Sequence, residues 1–181
     1  AQIDSLKETV GAPWNLQLDF PAARIHLDEL DLEGARAALA GLERLTEYEG
    51  GREARLRGRI AWIEGRIAEL EHGDCGRASS SYQRARDLQP TARYVRTTRL
   101  ECLTALGRWD EAEQEVDWLL THWPGWTTSR LAIAQYFAAR GRSEEALIHL
   151  DYVLRTWSDA DPEYRPALEA RALDARLRGG Q

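Results

Sequence analysis

From residue 73 to residue 158 the apolar positions fall into short stripes spaced by three and four. They read Tyr82, Ala85 and Leu88, then Val116, Leu119 and Leu120, then Leu147, Leu150, Val153 and Leu154. That spacing puts each set on one side of an α-helix. Before every stripe stands the same kind of string: Gly73-Asp74-Cys75-Gly76-Arg77-Ala78, Gly107-Arg108-Trp109-Asp110-Glu111-Ala112 and Gly141-Arg142-Ser143-Glu144-Glu145-Ala146. The leading glycines Gly73, Gly107 and Gly141 are evenly placed, 34 apart. A fixed interval of this length marks a supersecondary unit used repeatedly.

The local chemistry predicts what that unit is. A helical pattern runs into Gly, which takes the left-handed backbone that ends a helix, and acids or a small polar residue then open the next helix. The result is a tight helix-turn-helix, with Pro90 and Pro124 stopping two of the second helices. Upstream, Asp19 reads as an N-cap with Pro21 opening a helix to about Leu30, partnered by Leu32 to about Leu45 with Ala35 at the crossing. Ala35 and Ala78 are 43 apart, so about nine extra residues are expected between the hairpins, in a Tyr48 to Arg52 linker and a longer helix. Pro166, Leu168, Leu173 and Leu177 suggest a final capping helix closed by Gly179 and Gly180. The organisation expected is one helical-repeat domain over 1–181, with a degenerate hairpin at 19–46, repeats at 52–90, 93–124 and 127–158, and a capping helix at 162–178.

With its turn glycine, its small Ala at the crossing, the large residue four positions on and the terminal Pro, the chain resembles the tetratricopeptide-repeat family over residues 59 to 158. Trp62, Ala78, Tyr82, Ala85 and Pro90 carry the match in the first clear repeat. Arg66 and Arg99 fall where the family has small or apolar residues, which predicts a helix register shifted by one there. The resemblance implies an all-α fold, a right-handed superhelical stack of antiparallel helix hairpins, with a concave face lined by first helices that holds extended peptides or helices. Carried over by position, that face receives Ile60, Ile63, Ile67 and Leu70, then Tyr94, Thr97, Glu101 and Thr104, then Thr128, Leu131, Gln135 and Ala138. The residues expected to meet a partner are Thr97, Glu101 and Gln135, framed by Ile63, Ile67 and Leu131. Some family members clamp a terminal carboxylate with Lys and Asn from successive first helices. This chain has no Lys after Lys7 and no Asn after Asn15, so that clamp is absent.

Charge adds a second candidate surface. The chain carries 30 acids and 24 bases, a net −6, yet residues 51 to 110 hold 12 bases against 8 acids. Arg93, Arg96 and Arg99 recur every third residue on one helix, a stripe able to meet an acidic partner or a phosphate, or to pair internally with nearby acids. A third candidate is aromatic: of seven Trp, Trp109, Trp118, Trp123, Trp126 and Trp157 gather in the last two repeats. Trp123 and Trp157 are 34 apart, which argues for packing between repeats. Trp118, with Arg84 one repeat earlier, is the aromatic least explained by a core and the one expected at a contact surface.

Catalytic signatures are missing from the sequence. His26, His72, His122 and His149 are scattered, and His72 with Cys75 supplies two ligands where structural zinc needs four. Ser79-Ser80-Ser81 lacks a nucleophile elbow, there is no Gly-rich phosphate loop, and two cysteines without paired spacing indicate neither a metal site nor a disulfide scaffold. No enzyme activity, cofactor or metal is expected. No apolar run is long enough to span a bilayer, and the net charge disfavours nucleic acid. Ala1 at the start fits a mature secreted or periplasmic product, a trimmed cytosolic protein or an excised piece, the cytoplasm being slightly favoured. The function expected is a protein-protein interaction module or scaffold. The alternatives are the regulatory or substrate-docking region of a larger enzyme and, behind it, a helical-repeat nucleic-acid binder using the belt at 52–108.

Overall fold

The computed structural model describes residues 18–46 and 53–179, and every regular element among them is a helix. In chain order these are α1 (Asp19–Asp28), α2 (Leu32–Thr46), α3 (Glu53–His72), α4 (Cys75–Leu88), α5 (Arg93–Ala105), α6 (Trp109–His122), α7 (Thr127–Ala139), α8 (Ser143–Thr156) and α9 (Arg165–Gly179). The chain forms two compact units, one running to Val95 and one from Arg96.

The repeated turn is built as its chemistry requires. Gly73, Gly107 and Gly141 have φ of 61°, 66° and 71°, a region in which a side chain is strained. At the second turn the Arg108 N–H donates to the Leu103 carbonyl at 2.9 Å, and at the third the Arg142 N–H donates to the Phe137 carbonyl at 2.9 Å, the backbone pairing of a Schellman stop. The following helix begins differently in each case. Asp74 caps α4, its side chain accepting from the Gly76 N–H at 2.6 Å. In α6 and α8 no side chain caps the first turn, and the acids Asp110, Glu111, Glu144 and Glu145 oppose the helix dipole instead. Five residues after each glycine, Ala78, Ala112 and Ala146 are completely buried at the hairpin crossing.

In the first unit, α1 pairs with α2 and α3 with α4. Phe20, Trp62 and Tyr94 interlock there, with ring centroids 5.1 to 6.0 Å apart. At 20 residues, α3 is seven longer than α5 or α7, which takes up most of the extra interval before Ala78; the Tyr48 to Arg52 linker lies outside the described residues, as do Lys7 and Asn15. Gly65 explains the misfit at Arg66. A Cβ on Gly65 would stand 2.5 Å from the Tyr82 ring, so Gly65 is the small crossing residue and Arg66, one position on, turns aside to pair with Glu69 at 2.8 Å. The Tyr82 hydroxyl donates to that same carboxylate, and burial with the acid beside it pushes the phenol pKa upward.

Asp19 does not act as an N-cap. Leu18 holds that position without a side-chain cap, while Asp19 is the first residue of α1, buried against the bare face of Gly41, where a Cβ would meet its carboxylate at 1.9 Å. The apolar stripe of α1 draws Asp19 inward with Phe20, Ala22 and Ala23.

The second unit has two linked cores. Leu100 and Leu103 of α5 pack with Ala112, Val116 and Leu119 of α6 and with Ala132, Ile133 and Tyr136 of α7. Beyond them Leu131 and Ala134 meet Leu150 and Val153 of α8 and Ala170 and Leu173 of α9. Trp157 packs on this second cluster and meets Tyr164 edge-on at 5.3 Å. Trp123, its counterpart one repeat earlier, instead lies just past the end of α6, 42% exposed and edge-on to Trp126. Equivalent spacing therefore gives equivalent packing at Trp157 only. His149 stacks on Phe137 at 5.4 Å and accepts a hydrogen bond from Arg130 at 2.8 Å as a neutral imidazole. Burial, aided by the Arg130 charge, pulls its pKa down to about 4.

Two outcomes follow from these contacts. Ala112→Leu overpacks a crossing without room for it and is expected to remove about 1 to 3 kcal/mol, read by chemical denaturation. Below its ordinary pKa of 6.5 the unfolded His149 binds a proton that the folded one refuses until about pH 4, so stability falls as pH drops through that window. Thermal melts of the parent are expected to show this fall, and His149→Phe is expected to show a shallower one.

Candidate functional site

The residues expected at a binding face separate into core, seam and surface. Ile63 and Ile67 lie in the core of the first unit, and Leu131 in that of the second. Thr97 is buried in a hydrogen bond, its hydroxyl 2.8 Å from that of Ser129, which ties α5 to α7. One turn beyond Thr97, Glu101 is exposed, and Gln135, its equivalent in the next repeat, is half-buried. Thr104 and Ala138, at the next turn of each helix, are half-buried as well. Two neighbouring first helices thus present matching polar positions on a platform fixed by the Thr97–Ser129 pair.

The arginine stripe turns mostly inward. Glu115 of α6 is fully buried, and its carboxylate accepts from the Arg96 guanidinium at 2.8 Å and from that of Arg99 at 2.5 Å. Arg99 also donates to Glu111 at 3.0 Å. A buried carboxylate between two guanidiniums fixes geometry strongly, because removing either sign strands the other without water. Arg93 is half-buried in the first unit, where burial and the charge of Arg24 pull its pKa down to about 10. Trp118 belongs to the same assembly. The Arg96 guanidinium lies 4.1 Å from its ring centre, and His122 stacks on it at 4.3 Å with planes 14° apart. Its indole is partly buried and engaged by both groups.

A groove absent from the expectations runs along the α3–α4 hairpin. Its volume is about 650 Å³, the size of small-ligand and peptide pockets. Arg57, Ile60 and Glu64 form one wall, and Gln83, Arg84 and Leu88 lie on the other. Arg84 pairs with Glu64 across it, and burial raises the Glu64 pKa although Arg84 opposes that. Only Ile60 among these had a place in the expected face. The signal was present in the sequence, since residues 57, 60 and 64 share one side of α3 and 80, 84 and 87 one side of α4, but polar helix sides ordinarily meet only water.

Among the described residues no three His, Cys, Asp or Glu side chains are placed to hold a metal ion, and no helix is long and apolar enough to cross a membrane. Cys75 and Cys102 are free thiols, the first half-buried with its sulfur 3.8 Å from Glu69.

Comparison with known proteins bears on the fold. No protein-family model matches the chain. No curated protein matches it either. Among solved structures, a tetratricopeptide repeat protein from Parabacteroides merdae aligns over 91% of this chain with a TM-score of 0.55 at 17% identity. The chain spans 60% of the length of that protein. The MamA RS-1 ArsTM double mutant aligns over 92% of this chain and 96% of its own, with a TM-score of 0.53 at 13% identity. Together with the all-helical structure and the evenly spaced glycine turns, these likenesses show that the chain has a tetratricopeptide-like helical repeat fold, an α-solenoid of hairpins.

Proposed function

We propose that this chain is a non-catalytic interaction module that holds a segment of another protein on the first-helix face of α5 and α7, with Glu101 and Gln135 as the groups that meet it. What supports the reading most is the pairing of these two polar side chains at equivalent positions on helices locked together by Thr97 and Ser129. A rigid platform spares the ordering cost of binding. Glu101 and the overall charge of −6 favour a basic segment, with Gln135 able both to donate to and accept from its backbone. Because Arg96 and Arg99 are committed to Glu115, an acidic ligand has less to meet on this helix than the bare sequence suggests.

A second reading puts the partner in the α3–α4 groove, whose volume of about 650 Å³ favours it. Selection of a phage-displayed random peptide library on the immobilised chain separates the two. The expected result is enrichment of basic peptides whose affinity falls at least about tenfold with Glu101→Arg combined with Gln135→Arg and is unchanged by Arg84→Glu. Peptides that bind the double variant as well as the parent would overturn the first reading, and loss with Arg84→Glu alone would establish the second.

A further inference from the structure

The outer side of α9 carries a line of apolar and small residues, whereas a helix side that meets only water is ordinarily polar. The inner side of α9 buries Ala167, Ala170 and Leu173. On the opposite side Leu168, Ala172, Ala175 and Gly179 are all exposed, at intervals of four, three and four that keep them on one line of the helix. Leu168 is 46% exposed, and Tyr164, one turn earlier and 39% exposed, prolongs the line. Spacing of this kind is that of a helix-helix seam.

The charges beside the stripe indicate what fits it. Glu169 and Arg176 are seven residues apart and so lie two turns apart on the same flank, both exposed. Among the described residues Glu169 meets a cation only at the 4.0 Å limit, in Arg165, and Arg176 has no ion-pair partner. Suppose two copies of α9 lie antiparallel about a two-fold axis near residues 172 and 173. Leu168 of one copy then falls between Ala175 and Gly179 of the other, large against small, and Glu169 of each copy comes opposite Arg176 of its mate. In a parallel pair these charges would be separated by about 10 Å along the axis. On the other flank Arg171 comes opposite position 174 of the mate, where Asp174 already pairs with Arg178 of its own helix.

We propose that this stripe is the docking surface for a second copy of the chain, which forms an antiparallel two-fold dimer through α9. The interface is isologous, so each contact occurs twice and each charge change counts twice. Nothing in it depends on how the first-helix face binds a partner.

The test is the mass in solution by light scattering and sedimentation equilibrium, at about 0.1 mM chain. The parent is expected at twice its chain mass of 20.5 kDa. Leu168→Glu is expected at the monomer mass with an unchanged circular-dichroism spectrum of its secondary structure, because the residue lies on the exposed side of the helix. Glu169→Arg and Arg176→Glu set like charges against each other in their own homodimers, and each is expected to weaken association at least about tenfold. Mixed in equal amounts, these two variants regain both complementary pairs, so the mixture is expected to dimerise as the parent does. A parent that stays at 20.5 kDa would overturn the proposal and leave the stripe to a different protein or to further chain. A Leu168→Glu dimer, or a mixture that fails to associate better than its components, would overturn it as well.

Discussion

Three alanines with no exposed surface set how close the two helices of each hairpin come. Ala78, Ala112 and Ala146 stand five residues after glycines held at positive φ, so the turn fixes where the second helix starts and the missing side-chain bulk fixes its distance from the first. Everything further out inherits that spacing. The apolar stripes reach the neighbouring repeat only because the hairpin is thin at its crossing, and the neighbour is needed because two amphipathic helices cannot cover both of their apolar sides alone.

Within that frame the crossing tolerates different chemistry. In the first unit Gly65 lies against Tyr82, a bare backbone under a large ring. The equivalent positions one repeat on hold Arg99 and Val116, bulk having moved to the first helix, and those of the repeat after it hold Ile133 and Leu150, both buried. At Arg99 the long side chain comes with the acid next to Val116. Glu115 receives Arg96 and Arg99, and Arg96 in turn covers Trp118. The central hairpin therefore carries a buried ionic cluster where the next one holds Ile133 and Leu150. Arg96 and Arg99, cations that a sequence reading offers to a partner, are spent on internal geometry.

The turns were legible because their cause is local: only glycine enters positive φ without strain, and it recurs at one fixed interval through Gly73, Gly107 and Gly141. The crossing alanines and the stripes were legible for the same reason. What stayed hidden depends on partners far along the chain. An arginine every third residue looks solvated until Glu115, sixteen residues beyond Arg99, is brought beneath it. Asp19 has the chemistry of a cap, and only the bare face of Gly41 makes room for it inside. Trp123 and Trp157 share a repeat position, but the second packs on the cluster shared by α7, α8 and α9 while the first lies 42% exposed, edge-on to Trp126. The α3–α4 groove arises from two polar helix sides that converge without filling the space between them, which periodicity alone does not report.

The hairpin crossing is tested most directly by a double-mutant cycle at Gly65 and Tyr82. Gly65→Ala places a methyl group 2.5 Å from the ring, whereas Tyr82→Val removes the ring and its hydrogen bond to Glu69. The two changes share one space, so the double variant is predicted to lose less stability than the separate losses combined, by about 0.5 kcal/mol or more. Losses that add within about 0.3 kcal/mol would mean that the two residues do not meet, and would contradict the hairpin spacing on which the rest of the structure depends.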